Sequence, residues 1–178
     1  MKKILLTIIS LVMIFQLGCV VKDKKVKEIS GNSVEEKTKG EVKDDEEIVD
    51  GYMEIINMLY NKDKGLNDGI KYIAIDTSNM RNLSEEGEEK LLKDLEGYGH
   101  TVLKDTMKGL KEKGFIEASI FKEGILFEIK HDSIKNNKIT MVASKYKSGL
   151  GAIGLNKVVI ERKNNKWEII EENGSWVS

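Results

Sequence analysis

Residues 124–170 read GILFEIKHDSIKNNKITMVASKYKSGLGAIGLNKVVIERKNNKWEII, and their patterning decides the fold. Ile125, Phe127 and Ile129 alternate with Glu128 and Lys130. Ile139, Met141 and Ala143 alternate ahead of Tyr146, and Val158 and Ile160 alternate with Lys157, Val159 and Glu161. Trp167 and Ile169 continue the theme. A period of two places one set of side chains on one face of a strand, so each run predicts a half-buried β-strand. The tetrapeptide Lys-Asn-Asn-Lys occurs twice, at 135–138 and 163–166, between successive runs. Asparagine tolerates positive φ, which tight hairpin turns require. The stretch therefore predicts an antiparallel meander joined by hairpins, not βαβ units.

Upstream the period changes. Ile48, Tyr52, Ile55 and Leu59 recur at helical spacing, widened by Val49 and Ile56, and Asp44–Glu47 suit the positive end of the helix dipole. Residues 70–75 (IKYIAI) predict a short strand. Ser84 predicts an N-cap for a helix whose apolar face is Leu91, Leu92, Leu95 and Tyr98, ended by Gly97 or Gly99. Thr101–Leu103 predict a short extended piece, and Asp105 an N-cap for a second helix with Met107 and Leu110 inward, stopped by Gly114. The sum is an α+β class: N-terminal helices packed on an antiparallel sheet of four to five strands. Cystatin-like and NTF2-like cone folds share that coarse order, an analogy that implies no activity.

The other end of the chain speaks of location. Lys2 and Lys3 precede Ile4–Phe15, an apolar run broken only by Thr7 and Ser10, followed by Gln16, Leu17, Gly18 and Cys19. A basic start, a short apolar stretch and a small residue before the cut describe a secretory signal peptide. Residues 4–21 also reach the lower limit for a membrane span, so an uncleaved anchor is the competing reading. With cysteine directly after Leu17-Gly18, the segment resembles a bacterial lipoprotein signal, although Gln16 stands where that family usually has an aliphatic residue. The resemblance implies cleavage after Gly18 and a diacylglyceryl group on the sulfur of Cys19, placing the protein on the extracytoplasmic face of the cell membrane. Two acyl chains hold a protein stably on a bilayer where one does not.

Val20–Glu47 (VVKDKKVKEISGNSVEEKTKGEVKDDEE) mixes lysine and acid with few apolar residues. Such a segment buries too little surface to offset its ordering entropy and predicts a flexible tether. A chain of that length spans about 25–30 Å. The expected organisation is thus a signal peptide at 1–18, lipidated Cys19 with its tether at 19–47, and one domain at 48–178.

Composition narrows the chemistry. The 178 residues carry 29 basic and 30 acidic side chains, for a net charge of −1, which argues against a nucleic-acid partner. One cysteine rules out an intramolecular disulfide framework and a multi-cysteine metal site. His100 and His131 stand in no metal-ligand spacing, His131-Asp132 reading as a solvated turn at a strand end. No cofactor is expected. Gly149, Gly151 and Gly154 satisfy G-x-G-x-x-G, but a strand rather than a helix follows, so the pyrophosphate-binding reading fails. A loop carried between rigid strands is where binding residues concentrate. Tyr146, Ser148, Gly149, Gly151 and Gly154 are therefore the candidate binding residues, with a merely bulged connection as the plainer reading. Tyr52, Tyr60, Tyr72, Tyr98, Tyr146, Trp167 and Trp176 are aromatics that could line a pocket, of which Tyr52, Tyr72 and Trp167 are expected to fill the core instead. Asp76, Glu117, Glu123 and Glu128 are carboxylates that a hydrolase could pair across a cleft.

The closing residues, from Ser148–Gly154 through Asn165–Trp167 to Gly174–Ser178 (GSWVS), are similar to bacterial proteins in which a serine-glycine loop precedes a strand pair and a terminal G-x-W-x-S. That resemblance supports the sheet and carries no activity. The expected function is a non-catalytic module binding an envelope protein or small ligand, with an envelope hydrolase using paired carboxylates as the alternative.

Because the tether contributes almost no apolar surface, deleting residues 20–44 should leave cooperative thermal unfolding intact. Loss of the transition in calorimetry would move the domain boundary upstream.

Overall fold

Asp45–Asn61 form helix α1, with Asp45, Glu46 and Glu47 in its first turn. The computed structural model describes residues 45–178, except for the side chains of His131 and Asp132. The expected signal peptide, Cys19 and the expected tether through residue 44 lie outside the described residues. A 3-10 turn at Lys64–Asn67 leads into strand β1 (Tyr72–Asp76). Helix α2 (Glu85–Glu96) follows, and its N-cap is Ser84, whose hydroxyl accepts from the Gly87 amide at 3.0 Å. After β2 (Thr101–Lys104), α3 (Met107–Glu112) is capped by Thr106, not by Asp105. The Thr106 hydroxyl accepts from the Gly109 amide at 3.0 Å. Asp105 instead accepts from the Thr106 amide at 2.9 Å and from the Lys113 ammonium at 2.7 Å. Two-residue strands β3 (Ile116–Glu117) and β4 (Ile120–Phe121) precede the long β5 (Gly124–Lys135), β6 (Lys138–Ser148), β7 (Gly151–Lys163) and β8 (Lys166–Val177).

These eight strands form one mixed sheet in the order β2-β1-β5-β6-β7-β8, with the β3–β4 hairpin joined to the end of β6 through Ile120 opposite Ser148. The C-terminal meander is as expected: β5 to β8 pair antiparallel. Asn136, Asn137, Asn164 and Asn165 all have positive φ, between 51° and 62°, as two-residue hairpin turns of this hand require. The expectation of four to five purely antiparallel strands is corrected. β1 pairs parallel with both β2 and β5. The physical reason is the crossover: a strand, a 12-residue helix and a second strand return the chain in the same direction, which a two-residue turn cannot do. The cystatin-like or NTF2-like analogy rested on a wholly antiparallel sheet, and these parallel pairs remove its ground. His131 and Asp132 fall within β5, at the register shift between Lys130 and Ser133, not at a strand end.

The sheet has two unequal cores. On one face, Tyr52, Ile55, Ile56 and Leu59 of α1 and Leu91 and Leu95 of α2 pack on Ile73, Ile75, Ile125, Phe127, Ile139, Met141, Val158 and Ile160. On the other, Leu110 of α3 with Ile116 and Phe121 covers Ala74 and Leu126. Tyr52 is fully buried, Trp167 packs against the larger core and Tyr72 against the smaller. The Trp167 indole N–H donates to the Glu47 carbonyl at 2.7 Å, and Arg162 pairs with the Glu47 carboxylate at 2.6 Å, fastening the start of α1 to β7 and β8.

The end of α1 is fastened differently. The inward alternation of β6 runs Ile139, Met141, Ala143 and then Lys145, which is 0% exposed. Its ammonium donates to the carbonyl oxygens of Lys62 at 2.6 Å, Asp63 at 2.9 Å and Tyr60 at 3.3 Å, and to the Asn67 side-chain oxygen at 3.2 Å. A buried cation so placed satisfies carbonyls that a helix C-terminus leaves unpaired and suits the negative end of its dipole. Burial lowers the Lys145 pKa to about 8, against a smaller raising by the Asp63 charge.

Lys145→Met should cost about 1–3 kcal/mol, because it strips the donor from buried carbonyls. The folded pKa lies below the unfolded one, so between them the unfolded chain holds the extra proton and stability from this residue rises with pH. The wild-type advantage over Lys145→Met, read by denaturant unfolding, should therefore grow from pH 8 toward pH 10. A flat or shrinking advantage would contradict the burial of this charge.

Candidate functional site

Among the described residues, two clefts and one open sheet face stand out as places for chemistry. The larger cleft, about 430 Å³, lies beyond the carboxyl ends of the parallel strands β1 and β2 and is lined by Asp76, Thr77, Ser78, Glu88, Lys104, Asp105 and Thr106. Crevices at this end of parallel strands commonly take ligands. Its ionisable groups are already engaged with one another. The Glu88 carboxylate accepts from the Thr77 hydroxyl at 2.8 Å and pairs with Lys104 at 2.6 Å. Asp76 accepts from the Ser78 amide at 3.0 Å and hydroxyl at 2.5 Å, and Asp105 holds Lys113. Burial pushes the Glu88 pKa up, but hydrogen bonds from Lys104 and Thr77 and the Lys104 charge outweigh it and hold the group below its ordinary value. A general acid at neutral pH needs the opposite direction.

A smaller cleft of about 240 Å³ is lined by Tyr72, Phe115 and Phe121 with Glu117, Lys122 and Glu123. The rings of Tyr72 and Phe115, and of Phe115 and Phe121, meet edge to face. The structure thus brings Glu117 and Glu123 to one cleft, and sets Asp76 beside Glu128 in the register of β1 and β5. Each already holds a partner: Glu117 pairs with Lys122 at 3.1 Å, Glu123 with Lys71 at 2.5 Å and Glu128 with Lys130 at 3.1 Å. Among the described residues no group of histidine, cysteine and acidic side chains could hold a metal ion.

The predicted glycine site is built into strands more than into a loop. Gly149 and Leu150 form the β6–β7 turn, Gly151 opens β7 opposite Ser148, and Gly154 lies within β7 opposite Ser144. The expected bulge is present, at the register shift between Tyr146 and Ser148. The glycines with positive φ are Gly69, Gly99, Gly114 and Gly174, so none of the three needs its backbone freedom. Two are needed for close approach instead. A Cβ on Gly151 would stand 2.9 Å from the Ser148 hydroxyl and 3.1 Å from the Leu66 methyl, so a larger residue there is not free even at ordinary φ. A Cβ on Gly154 would stand 2.3 Å from Cζ2 of Trp176, whose indole covers this glycine from β8.

Tyr146 and Gly154 share a face, as the ladder pairs Tyr146 with Ala152, Ser144 with Gly154 and Gly154 with Trp176, whereas Ser148 pairs with Gly151 beside Leu66, on the side of α1. The Tyr146 hydroxyl donates to the Ser119 carbonyl at 2.6 Å, and burial, only partly countered by that hydrogen bond, raises its pKa. This is the face opposite α1, and among the described residues no helix packs on it at β7 and β8. Trp176 is 41% exposed there, and Leu150, at the adjoining turn, is 92% exposed.

The chain matches no family model, no curated protein and no solved structure.

Gly154→Val should lift the Trp176 indole from its seat, at a cost of about 1–3 kcal/mol. In a Trp167→Phe background Trp176 is the sole indole, and its emission should shift to longer wavelength. Unchanged emission and stability would contradict the close approach.

Proposed function

We propose that this chain is a lipid-anchored cell-envelope protein whose α+β domain is a non-catalytic binding module, with the open face of β6, β7 and β8 as its contact surface. The N-terminal sequence supports the anchor: a basic start, an apolar run and Leu17-Gly18-Cys19. The observation that carries the binding reading is Trp176, a large aromatic held half-exposed over Gly154 on a sheet face without a helix. An aromatic left at the surface forfeits burial that could stabilise the fold by about 2 kcal/mol, and such anchors are enriched where partners dock. The predicted residues Tyr146 and Gly154 adjoin it on the same face.

The hydrolase alternative needs two carboxylates with one held protonated. The clefts offer carboxylates paired to lysines or hydroxyls, and in Glu88 a pKa shifted downward. The binding module is the reading they favour.

Metabolic labelling with a fatty acid should mark the wild type and not Cys19→Ser, and the variant should leave the membrane fraction or accumulate as precursor. Equal labelling of both would end the anchor assignment.

A further inference from the structure

The row Ser144, Gly154, Trp176 crosses three adjacent strands, and its chemistry points to a class of ligand. Residues paired in register share a face, so the Ser144 hydroxyl stands beside an indole that reaches from β8 over the backbone of Gly154, within two strand spacings, about 10 Å. The next row toward the β6–β7 turn adds Tyr146 and Ala152. None of these side chains is charged. Charges border the row on both sides and are paired: Glu128, opposite Ser144 on β5, holds Lys130 at 3.1 Å, and Lys157 and Glu171 meet at 2.6 Å while Asn173 donates to the same carboxylate at 2.7 Å. The patch is therefore electroneutral, apolar at one end of each row and hydroxyl-bearing at the other.

We propose that this face binds an uncharged pyranose glycan, with a sugar ring stacked on Trp176. The inference rests on the binding-module reading and names its ligand class. A pyranose ring carries C–H groups on its flat face and hydroxyls around its edge. Against an indole flanked by serine and tyrosine hydroxyls, the apolar face is desolvated while edge hydroxyls keep hydrogen-bond partners. The missing Cβ of Gly154 seats the ring and limits its freedom, which lowers the entropy cost of binding. Charge complementarity selects against the other occupants. A nucleic acid or an anionic polymer calls for free lysine or arginine beside the aromatic, and the lysines bordering this patch, Lys130 and Lys157, are each paired with a glutamate. Strand addition by a second copy is opposed by the charged edge of β8, where Lys166, Glu168, Glu171 and Glu172 stand in the outer strand.

The test uses the full-length protein in detergent, with Trp167→Phe so that fluorescence reports Trp176 alone. Chitohexaose and cellohexaose are the neutral probes, oligogalacturonate the anionic one and phosphatidylglycerol vesicles the lipid surface. The expected result is a saturable change in Trp176 emission with a neutral hexaose. Binding followed by calorimetry should weaken at least tenfold in Trp176→Ala and in Gly154→Val, and partly recover in Trp176→Phe. Circular dichroism and melting of each variant check that it folds. If only oligogalacturonate or vesicles bind, and do so through Trp176, the glycan class is wrong while the binding face stands. A dimer in solution that Trp176→Ala dissociates would likewise replace the glycan by a second copy. If no probe binds, or binding is unchanged in both Trp176→Ala and Gly154→Val, the inference fails, and independence of every interaction from Trp176 would take the binding-face reading with it.

Discussion

A single ammonium decides how the helical and sheet parts of this domain meet. Lys145 lies on the inward face of β6, where a lysine is costly unless its charge is met. The cost is met by carbonyl oxygens at the end of α1 and in the turn that follows, together with the Asn67 amide oxygen. Asn67 in turn donates to the Tyr60 carbonyl at 2.7 Å, so the turn is knitted to the helix it terminates. Lys147, two residues on, reaches the Asp68 carbonyl at 2.7 Å, and Leu66 rests against Gly151. The helix end, the turn and the β6–β7 end of the sheet thus form one fastened unit. At the other end of α1, Trp167 and Arg162 hold Glu47. Clamped at both ends, α1 covers one face of β6, β7 and β8 and leaves the opposite face to other uses.

That division of labour explains where the candidate surfaces lie. The parallel strands β1, β2 and β5 open a crevice at their carboxyl ends, but its acidic groups are occupied by Lys104, Lys113 and neighbouring hydroxyls. Ion pairs of this kind at the surface contribute little to stability, and the one with Lys104 helps hold the Glu88 carboxyl below its ordinary pKa. The antiparallel half carries no such pairs along the row from Ser144 to Trp176. There a glycine replaces side-chain bulk with an indole from the neighbouring strand, a local choice that trades packing for an exposed aromatic.

Much of this was legible in the sequence, and the omissions have physical causes. Both Asn-Asn turns, the Ser84 cap and the stripe of α1 were readable because each is a local rule: positive φ, an orphan amide, a helical period. The parallel pairing of β1 was not, since it depends on where β5 returns after five intervening elements, and four-residue β2 offers little signal of its own. The Asp105 cap was misplaced by one residue because an adjacent threonine competes for the same amide, and the aspartate is drawn to Lys113. Lys145 was readable but missed. The period of two that marks Ile139, Met141 and Ala143 as inward marks Lys145 equally, and only its charge suggested an outward place. For the proposed binding face, the glycine-rich stretch drew notice to β6 and β7 as a connection, where the structure has a short turn and mostly strand. Its glycines serve close approach by Trp176 and Leu66, not a flexible loop.

The central claim is that Lys145 fastens the end of α1 and its turn to the sheet. Amide hydrogen exchange, resolved by residue, tests it most directly. In wild type, amides donated within the turn and helix end, such as those of Lys62, Leu66 and Asp68, should exchange with protection comparable to the β6–β7 end. In Lys145→Met, residues 60–69 should lose at least tenfold protection while the start of α1, held by Trp167 and Arg162, keeps its own. Uniform loss across α1, or unchanged protection of the turn, would contradict the account.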